Sequence, residues 1–373
     1  MRRAPIALLA VAVFGCTLLD SHEASVRVAW RVPLPEAEAG WIGVPAAAAG
    51  LFIVQTGPAL RAFDARSGRT VWRTVLRTGV DIGAENVAVA NGRAFVAGGD
   101  SVYAVTAATG ARLWAFLPDA QGALCTIAAD EDAVYVGTRS HRVYALSART
   151  GAVLWSVDVG PDWPFFGIVH GIALSGDTVY VNAQQYLNEG GYLRTGHVFA
   201  LNRASGAELW HFRGPDDHND ATHAPAISGR MLLVSSVHAT PTAPGSFFAL
   251  DRFTGQELWR ISTTGLGPVQ PPLVQRGIAY VGAGDTRVYA ADLASGIVRW
   301  SRPTGGSVMA LALCGRRLLI NNLELRVLDQ DDGRDVQSLL AGDDQDFPTS
   351  AFAVSGNHVF VMGFAAAYGI DCS

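Results

Sequence analysis

Residues 142–155 have the sequence RVYALSARTGAVLW, and the chain repeats this pattern along most of its length. The other clear copies are LRAFDARSGRTVW (60–72), SVYAVTAATGARLW (101–114), HVFALNRASGAELW (197–210), SFFALDRFTGQELW (246–259) and RVYAADLASGIVRW (287–300). A degenerate copy, LRVLDQDDGRDVQ (325–337), has Gln337 where the others have Trp. The turn glycines at 68, 110, 151, 206, 255, 296 and 333 are separated by 42, 41, 55, 49, 41 and 37 residues. A repeat of about forty residues built from strands and turns predicts a β-propeller.

Each copy predicts a β-hairpin. In the copy at 142–155 the apolar run Val143–Leu146 forms one strand, Gly151 permits a positive φ at the turn, and Val153–Trp155 begins the return strand. Ser147, like Asp64, Asn202, Asp251 and Asp292 in other copies, can accept hydrogen bonds from the turn backbone. We expect the repeated tryptophans to pack between neighbouring blades. They are Trp72, Trp114, Trp155, Trp210, Trp259 and Trp300.

Two further strand signals precede each hairpin, for example GIALSGD (171–177) and VYVN (179–182). The chain therefore predicts eight units of four strands. The eighth unit ends at AAYGIDCS without an outer strand, and SVRVAW (25–30) can supply it, with Trp30 in the repeat's Trp position. Pairing the first strand with the last blade removes two exposed sheet edges. The predicted fold is an all-β, eight-bladed propeller with four-stranded blades, closed by the N-terminal strand.

The composition is that of a large-cored protein with few surface charges. The 373 residues are 49% hydrophobic and 16% charged, whereas about a quarter are charged in a typical soluble domain. The net charge of −5 comes with no basic patch, which argues against a nucleic-acid partner. A single repeat lattice fills residues 24–373, so we expect one domain there.

Residues 1–16, MRRAPIALLAVAVFGC, have the pattern of a targeting segment. Arg2 and Arg3 precede an apolar core that is too short to span a bilayer, for which about 20 residues are needed. The end VFGC resembles the bacterial lipoprotein box and predicts lipidation of Cys16, with residues 17–23 as a tether. The alternative is ordinary secretion with an incidental Cys16. Thr17, rather than Asp, favours the outer membrane by resemblance to Gram-negative lipoproteins.

Three other cysteines are present. On the predicted ring, Cys125 in blade 3 and Cys314 in blade 7 lie too far apart for a disulfide, whose Cα atoms must approach within about 7 Å. Cys314 and Cys372 belong to adjoining blades 7 and 8. Whether these two pair stays open at this point.

The regular repeat is interrupted in blades 4 and 5. Four long segments, 160–170, 183–196, 211–223 and 237–244, are predicted as loops on one face of the ring, where function usually lies. They contain aromatic, acidic and histidine side chains that suit a recognition surface. The candidate binding residues are Trp163, Phe165, Phe166, His170, Asp217, His218, Asp220 and His223.

The segments that enter the inner strands should surround the axial mouth of the ring. They contribute Trp41, Glu85, Cys125, His170, His223, Gln270, Met309 and Thr349. This mixed set suits a small planar ligand or ordered water, and Gln270 is a further candidate binding residue. A metal site of His170, His218, His223 and one Asp is conceivable, but the spacing has no metal-ligand signature, so we predict no metal.

The repeats resemble the pyrroloquinoline-quinone (PQQ) type propeller repeat, VYALDxxTGxxLW, over residues 24–373. Quinoprotein alcohol dehydrogenases share this repeat, but they are longer and have adjacent cysteines beside the cofactor. This chain has no vicinal cysteine pair, and the calcium ligands and catalytic Asp of those enzymes have no matching motif here. No cofactor is therefore the expectation, with PQQ and calcium as the alternative.

In length, blade number and N-terminus, the chain is also similar to the propeller lipoproteins of the outer-membrane β-barrel assembly machinery, the BamB family. That resemblance implies a non-catalytic scaffold in the bacterial cell envelope, anchored in the outer membrane and facing the periplasm. We expect an envelope protein or glycan to bind over blades 4 and 5. The alternative is a small PQQ-binding oxidoreductase, or a ligand-binding propeller, with its site at the axial mouth.

Overall fold

The computed structural model describes residues 26–35, 38, 44–76, 87–98, 100–118, 124–165, 167–188, 194–214, 219–221, 223–238, 244–265, 271–322, 324–340, 351–363 and 365–372. These residues form β-strands joined by turns and short links, with no α-helix among them. No helix within the described ranges is long and apolar enough to cross a membrane.

The strands follow the chain in blades. Blade 1 consists of β2 (Ala46–Ala48), β3 (Leu51–Thr56), β4 (Ala59–Asp64) and β5 (Thr70–Val75), and blade 2 of β6 (Val87–Ala90), β7 (Arg93–Gly98), β8 (Ser101–Thr106) and β9 (Arg112–Phe116). Blade 3 consists of β10 (Leu124–Ala129), β11 (Ala133–Thr138), β12 (Arg142–Ser147) and β13 (Val153–Asp158), and blade 4 of β14 (Gly167–Ser175), β15 (Thr178–Tyr186), β16 (Arg194–Asn202) and β17 (Glu208–Arg213). Blade 5 consists of β18 (Asn219–Ala221), β19 (Ala226–Ser228), β20 (Met231–His238), β21 (Ser246–Asp251) and β22 (Glu257–Ser262), and blade 6 of β23 (Leu273–Gln275), β24 (Ile278–Ala283), β25 (Arg287–Asp292) and β26 (Val298–Pro303). Blade 7 consists of β27 (Ala310–Cys314), β28 (Arg317–Asn321), β29 (Leu325–Asp329) and β30 (Asp335–Leu340), and blade 8 of β31 (Ala353–Ser355), β32 (His358–Met362), β33 (Ala366–Asp371) and β1 (Arg27–Pro33).

The eight sheets confirm the predicted propeller and its closure. Each blade is an antiparallel meander, and in blade 5 two short strands, β18 and β19, share the innermost position against β20. The N-terminal strand β1 pairs antiparallel with β33, from Arg27 opposite Asp371 to Pro33 opposite Ala366. The last blade is therefore assembled from both ends of the chain.

A tryptophan–glycine lock joins neighbouring blades. The indole N–H of Trp155 in blade 3 donates to the carbonyl of Arg203 in blade 4 at 2.9 Å. Its ring lies on Gly206, where φ is +74° and a Cβ would stand 2.7 Å from the indole Cε3. Only glycine combines this backbone conformation with this close approach. The same lock joins Trp30 to Gly68, Trp72 to Gly110, Trp114 to Gly151, Trp210 to Gly255, Trp259 to Gly296 and Trp300 to Gly333.

These locks confirm the predicted packing role of the repeated tryptophans and extend it to Trp30. Trp30 belongs to the closing strand β1, and its indole donates to the carbonyl of Ala65 in blade 1 at 3.1 Å. The seam between blades 8 and 1 is thus built like the interior seams. The turn caps are also as predicted, since Asp64 Oδ1 accepts the backbone N–H of Ser67 at 2.9 Å and Asn202 Oδ1 that of Ser205 at 3.1 Å.

The link from β1 to blade 1 is anchored by one buried carboxylate. Glu38, 3% exposed, accepts hydrogen bonds from Thr56 Oγ1 at 2.7 Å, Arg61 Nε at 2.5 Å and Arg73 Nε at 2.7 Å. Burial opposes its ionisation, but the hydrogen bonds from Arg61, Thr56 and Arg73 lower the pKa of Glu38 below its ordinary value. The segment after the closing strand is therefore tied to three strands of the first blade.

Cys314 and Cys372, whose pairing the sequence leaves open, form a disulfide with their Cα atoms 5.5 Å apart. Cys314 ends β27 of blade 7, and Cys372 follows β33 of blade 8. Both cysteines are buried in the apolar cluster between these blades, which also contains Val26 beside the closing strand. A covalent bond therefore crosses one seam of the ring.

Candidate functional site

Blade 4 projects beyond blade 3. Its strands β14, β15 and β16 have nine residues each, whereas the corresponding strands β10, β11 and β12 of blade 3 have six. The hairpin of β15 and β16 continues to the pair Tyr186 and Arg194, and the three extra residues of these two strands add about 10 Å of height. Residues 167–170, 183–186 and 194–196 are therefore strand, so the segments 160–170 and 183–196 are loops only in part, contrary to the prediction. The segment AQQY (183–186) is polar and does not have the pattern of a core strand, so the sequence did not indicate one. The hydrogen-bonded hairpin nevertheless continues past the apolar core.

His170 occupies a β-bulge. The register of β14 against β15 shifts between Val169 and Gly171, which places His170 at the bulge, and its Nε2 lies 2.7 Å from Gln184 Oε1. Blade 3 has the same irregularity between Leu124 and Thr126, at Cys125. The two residues occupy corresponding positions in the innermost strands of their blades. Bulges of this kind redirect a side chain and are common next to functional sites.

The entry to blade 5 is held tightly against this bulge. Gly171 has no room for a Cβ, because the backbone of His223 and Ala224 fills that space. Asn182 Nδ2 donates to the carbonyl of His223 at 2.5 Å. Burial, and then the nearby His170, lower the pKa of His223 to about 4. The structure therefore brings His170 and His223 together, with His223 neutral at neutral pH.

Trp163 is a packing residue rather than the exposed aromatic we expected. Its half-buried ring lies 4.9 Å from the ring of His197 and packs against the core shared by blades 3 and 4. The ring also covers Gly160 and Gly167, where any Cβ would clash with it. The surrounding Pro and Phe residues resemble those of an exposed loop, but Trp163 fills the gap that the taller blade 4 leaves beside blade 3.

The sequence analysis missed a pair of imidazoles, of which His197 is buried and His211 is exposed. His197 Nδ1 lies 2.8 Å from His211 Nε2, and His197 Nε2 lies 3.1 Å from Gln185 Oε1. Because the amide oxygen can only accept, His197 carries its proton on Nε2 and accepts from His211 at Nδ1. Burial, followed by the charges of His211 and Arg213, lowers the pKa of His197 to about 3. The available signal was the alternation of His197 and Phe199 on one strand face, with His211 opposite Phe199.

Acid is expected to destabilise the protein partly through His197. Its folded-state pKa lies below the ordinary value of 6.5, so as pH falls the unfolded chain takes up this proton first. The contribution to stability is complete above pH 6.5 and decreases towards pH 3, by about 3 kcal/mol between pH 7 and pH 4. His197→Gln should remove this component. Urea unfolding of both proteins at pH 7 and pH 4 tests it, and an unchanged difference between them at the two pH values would contradict the assignment.

We expect Trp163→Ala to lower the free energy of unfolding by about 2–4 kcal/mol, because it empties the space between two glycines and His197. Leu154→Ala is the matched control: Leu154 is an apolar residue in the adjacent outer strand, 56% exposed, and its truncation should cost less than about 1 kcal/mol. Chemical denaturation measures both. Equal losses would show that Trp163 is not a packing residue.

The other candidates are described in part or not at all. Phe165 lies half-buried in the link before β14, and Asp220 lies in β18 opposite Val237. Met309 is 36% exposed, and its N–H donates to the carbonyl of Asn321 at 2.7 Å. Outside the described residues lie Cys16, Trp41, Glu85, Phe166, Asp217, His218, Gln270 and Thr349. The conceivable metal site depends on His218, and within the described ranges no three His, Cys, Asp or Glu residues form a metal-binding group.

The family model described as "Outer membrane protein assembly factor BamB" matches residues 19–162, 100–192 and 194–368. The chain belongs to this family. The match covers nearly the whole propeller and confirms the resemblance inferred from the repeated motif.

Solved structures of similar shape include members of this family and quinoproteins. BamB from Moraxella catarrhalis is 14% identical with a TM-score of 0.71, over 93% of this chain and 100% of its own. A quinohemoprotein alcohol dehydrogenase from Pseudomonas putida HK5 is 15% identical with a TM-score of 0.69, over 93% of this chain and 76% of its own. At such identities the likeness shows the shared fold alone.

A curated relative shares only a short segment. The serine/threonine-protein kinase AfsK from Streptomyces griseus is 31% identical over 90 residues. That segment is 23% of this chain and 10% of the kinase. The chain therefore spans a small part of that relative's length.

Beside His223, the described residues present a hydrogen-bond acceptor, whereas the three carboxylates of PQQ require cationic or N–H donors. Asn182 is fully buried, its Nδ2 is already bonded to His223, and its Oδ1 has no hydrogen-bond partner among the described residues. The atom that lacks a partner is thus an acceptor, as are the oxygens of the cofactor. The neighbouring His223 is neutral, since its pKa is about 4. The space beside Asn182 Oδ1 therefore suits a water or a ligand group that donates a hydrogen bond.

Proposed function

We propose that the protein is a non-catalytic scaffold of the bacterial cell envelope that binds a protein of outer-membrane assembly through the rim of blades 4 and 5. The observation that carries the proposal is the taller blade 4, whose strands β15 and β16 extend three residues, about 10 Å, beyond those of blade 3. The family and the likeness to BamB support the class of partner. A protein fits this broad raised edge better than a glycan, which would require a concave cleft.

The raised edge is preorganised, which favours binding because little freedom is lost on association. On the blade 3 side, Trp163 and the His197–Gln185 hydrogen bond hold it. On the blade 5 side, Asn182 holds the carbonyl of His223. Each of these side chains already makes contacts within the fold, so the partner must contact residues farther out on the raised edge.

The tip of the edge presents the residue types that dominate protein interfaces. The guanidinium of Arg194 lies 5.4 Å from the ring centre of Tyr186, and both side chains are half-exposed at the end of the hairpin. Tyr and Arg are enriched among residues that contribute most to binding. We therefore place the centre of the docking surface at this pair.

The double variant Tyr186→Ala/Arg194→Ala tests the proposal. Its affinity for the envelope partner should fall about 10- to 100-fold, as for two interface hot spots, with the melting temperature unchanged. Shortening 184–195 is unsuitable as a test, because Gln184 and Thr195 are buried in the blade. Phe253→Ala is the control, since Phe253 is 62% exposed in a turn on the opposite face. Unchanged affinity of the double variant, with the ring folded, would place the function elsewhere.

The proposed location depends on the leader. If Cys16 carries the lipid, Cys16→Ala should move the protein from the membrane fraction to the soluble periplasmic fraction, because the acyl chains provide the anchor. Membrane fractionation after a salt wash, with Cys125→Ala as the control, measures this. Retention of the Cys16 variant in membranes would contradict lipid anchoring.

A further inference from the structure

Seven of the eight seams in the described part of the ring carry the tryptophan–glycine lock, and the seam between blades 7 and 8 differs. In blade 7 the Trp position of the repeat is Gln337, which is exposed on β30. Blade 8 has no glycine turn after β33, because its outer strand comes from the other end of the chain. Both halves of the lock are therefore missing at one seam.

Cys372 stands at the position that completes the lock elsewhere. Its backbone N–H donates to the carbonyl of Asn357 at 2.8 Å, as the N–H of Ala148 donates to the carbonyl of Asp132 at 2.8 Å in blade 3. Ala148 is the residue whose carbonyl accepts the indole of Trp114. Cys372 is thus the blade 8 counterpart of the lock's acceptor residue.

Cys314 likewise has a counterpart across another seam. It ends the innermost strand of blade 7, as Ser175 ends the innermost strand of blade 4. At the seam between blades 4 and 5, the guanidinium of Arg252 donates to Ser175 Oγ, and Arg252 is the acceptor residue of the lock there. The same pair of positions is in contact at both seams, through a hydrogen bond at one and a disulfide at the other.

We infer that the Cys314–Cys372 disulfide replaces the missing lock, so that the ring has one redox-sensitive seam. The bond forms when the two thiols lose two electrons and two protons to a protein thiol–disulfide oxidant, whose own disulfide becomes a dithiol. Reduction by a dithiol reverses the step. Such bonds persist in oxidising compartments, so the seam between blades 7 and 8 is cross-linked only after export from the cytoplasm.

Reduction should loosen blade 8 more than the rest of the ring. β33 connects the closing strand β1 to β32, and Cys372 directly follows β33. With the bond broken, the seam between blades 7 and 8 loses its covalent link, while the apolar cluster that contains Leu325 and Tyr368 remains. Hydrogen exchange in β31–β33 and β1 should then increase, while exchange in blade 3 stays unchanged.

The test compares the mature protein, Cys314→Ser/Cys372→Ser and Trp155→Ala, each with and without a reducing agent. Loss of a cross-link that closes a loop of 58 residues should lower the melting temperature of the mature protein by about 5 °C on reduction. The double serine variant should melt at the lower temperature in both conditions. Trp155→Ala, which opens a locked seam, should retain the full response to reduction.

Three results would overturn the inference. One is free thiols at both cysteines in protein purified from the periplasm, measured by alkylation and mass spectrometry. Another is a melting temperature that does not change when the folded protein is reduced, a measurement that stands even if the serine variant fails to fold. The third is faster hydrogen exchange spread evenly over all blades after reduction.

Discussion

Removal of residues 24–32 is expected to destabilise the whole ring by at least about 3–5 kcal/mol. This is the cost of truncating one large buried aromatic side chain to alanine in other protein cores. The deletion removes β1, the partner of β33, and with it Trp30, which locks blade 8 to Gly68 of blade 1. It also exposes the edge of β33 to other chains. Thermal and urea unfolding of the truncated and mature proteins measure the loss.

Point variants separate the lock from the strand. Trp30→Ala should cost about as much as Trp155→Ala, roughly 3–5 kcal/mol each, because the two indoles make the same contacts at different seams. If the chain truncated to start at Arg31 unfolds at the same temperature as the mature protein, the N-terminal strand does not close the ring.

Glu38→Ala should have the second large effect, about 3–5 kcal/mol, since it leaves buried charge without its partner. The side chain of Arg61 is 12% exposed and donates two hydrogen bonds to Glu38, at 2.5 and 3.1 Å. Arg27→Ala is the control: its ion pair with Asp371 is on the surface, with the Arg27 side chain 68% exposed, and should contribute less than about 1 kcal/mol.

The loss of stability caused by Glu38→Ala should also depend on pH. The folded-state pKa of Glu38 lies below its ordinary value of 4.5, so its contribution is complete above pH 4.5 and is lost as pH falls through the folded pKa. The mature protein and Glu38→Ala should therefore differ most near neutral pH and converge in acid. Equal destabilisation by the Glu38 and Arg27 variants would contradict the buried anchor.

The sequence predicts the architecture well because the lock is local and repeated. A Trp ends one copy and a Gly stands in the turn of the next, so blade number and order follow from counting the copies of the motif. Trp30 in SVRVAW carried enough of that motif to predict closure, which the pairing of β1 with β33 confirms. Each of these features depends on a few neighbouring residues.

The features that the sequence did not predict depend on contacts between segments that the repeated motif does not relate. Trp163 lies in a Pro-rich link, and only the fold places His197 against its ring. Gln184 and Gln185 are polar, so nothing local indicates that they continue a strand and hold His170 and His197. Cys314 and Cys372 lie in adjoining blades by the repeat count, but their pairing depends on which strand ends meet at the seam.

The central claim is that the rim of blades 4 and 5 binds a partner. Photo-crosslinking in the native envelope tests this claim most directly. A benzophenone amino acid would replace Tyr186 at the tip of blade 4, and in a second strain Phe253 in a turn of the opposite face. The account predicts a strong adduct with an outer-membrane assembly protein from position 186, identified by mass spectrometry, and little or none from position 253. Equal adducts from both positions, or none from position 186 in a folded ring, would contradict it.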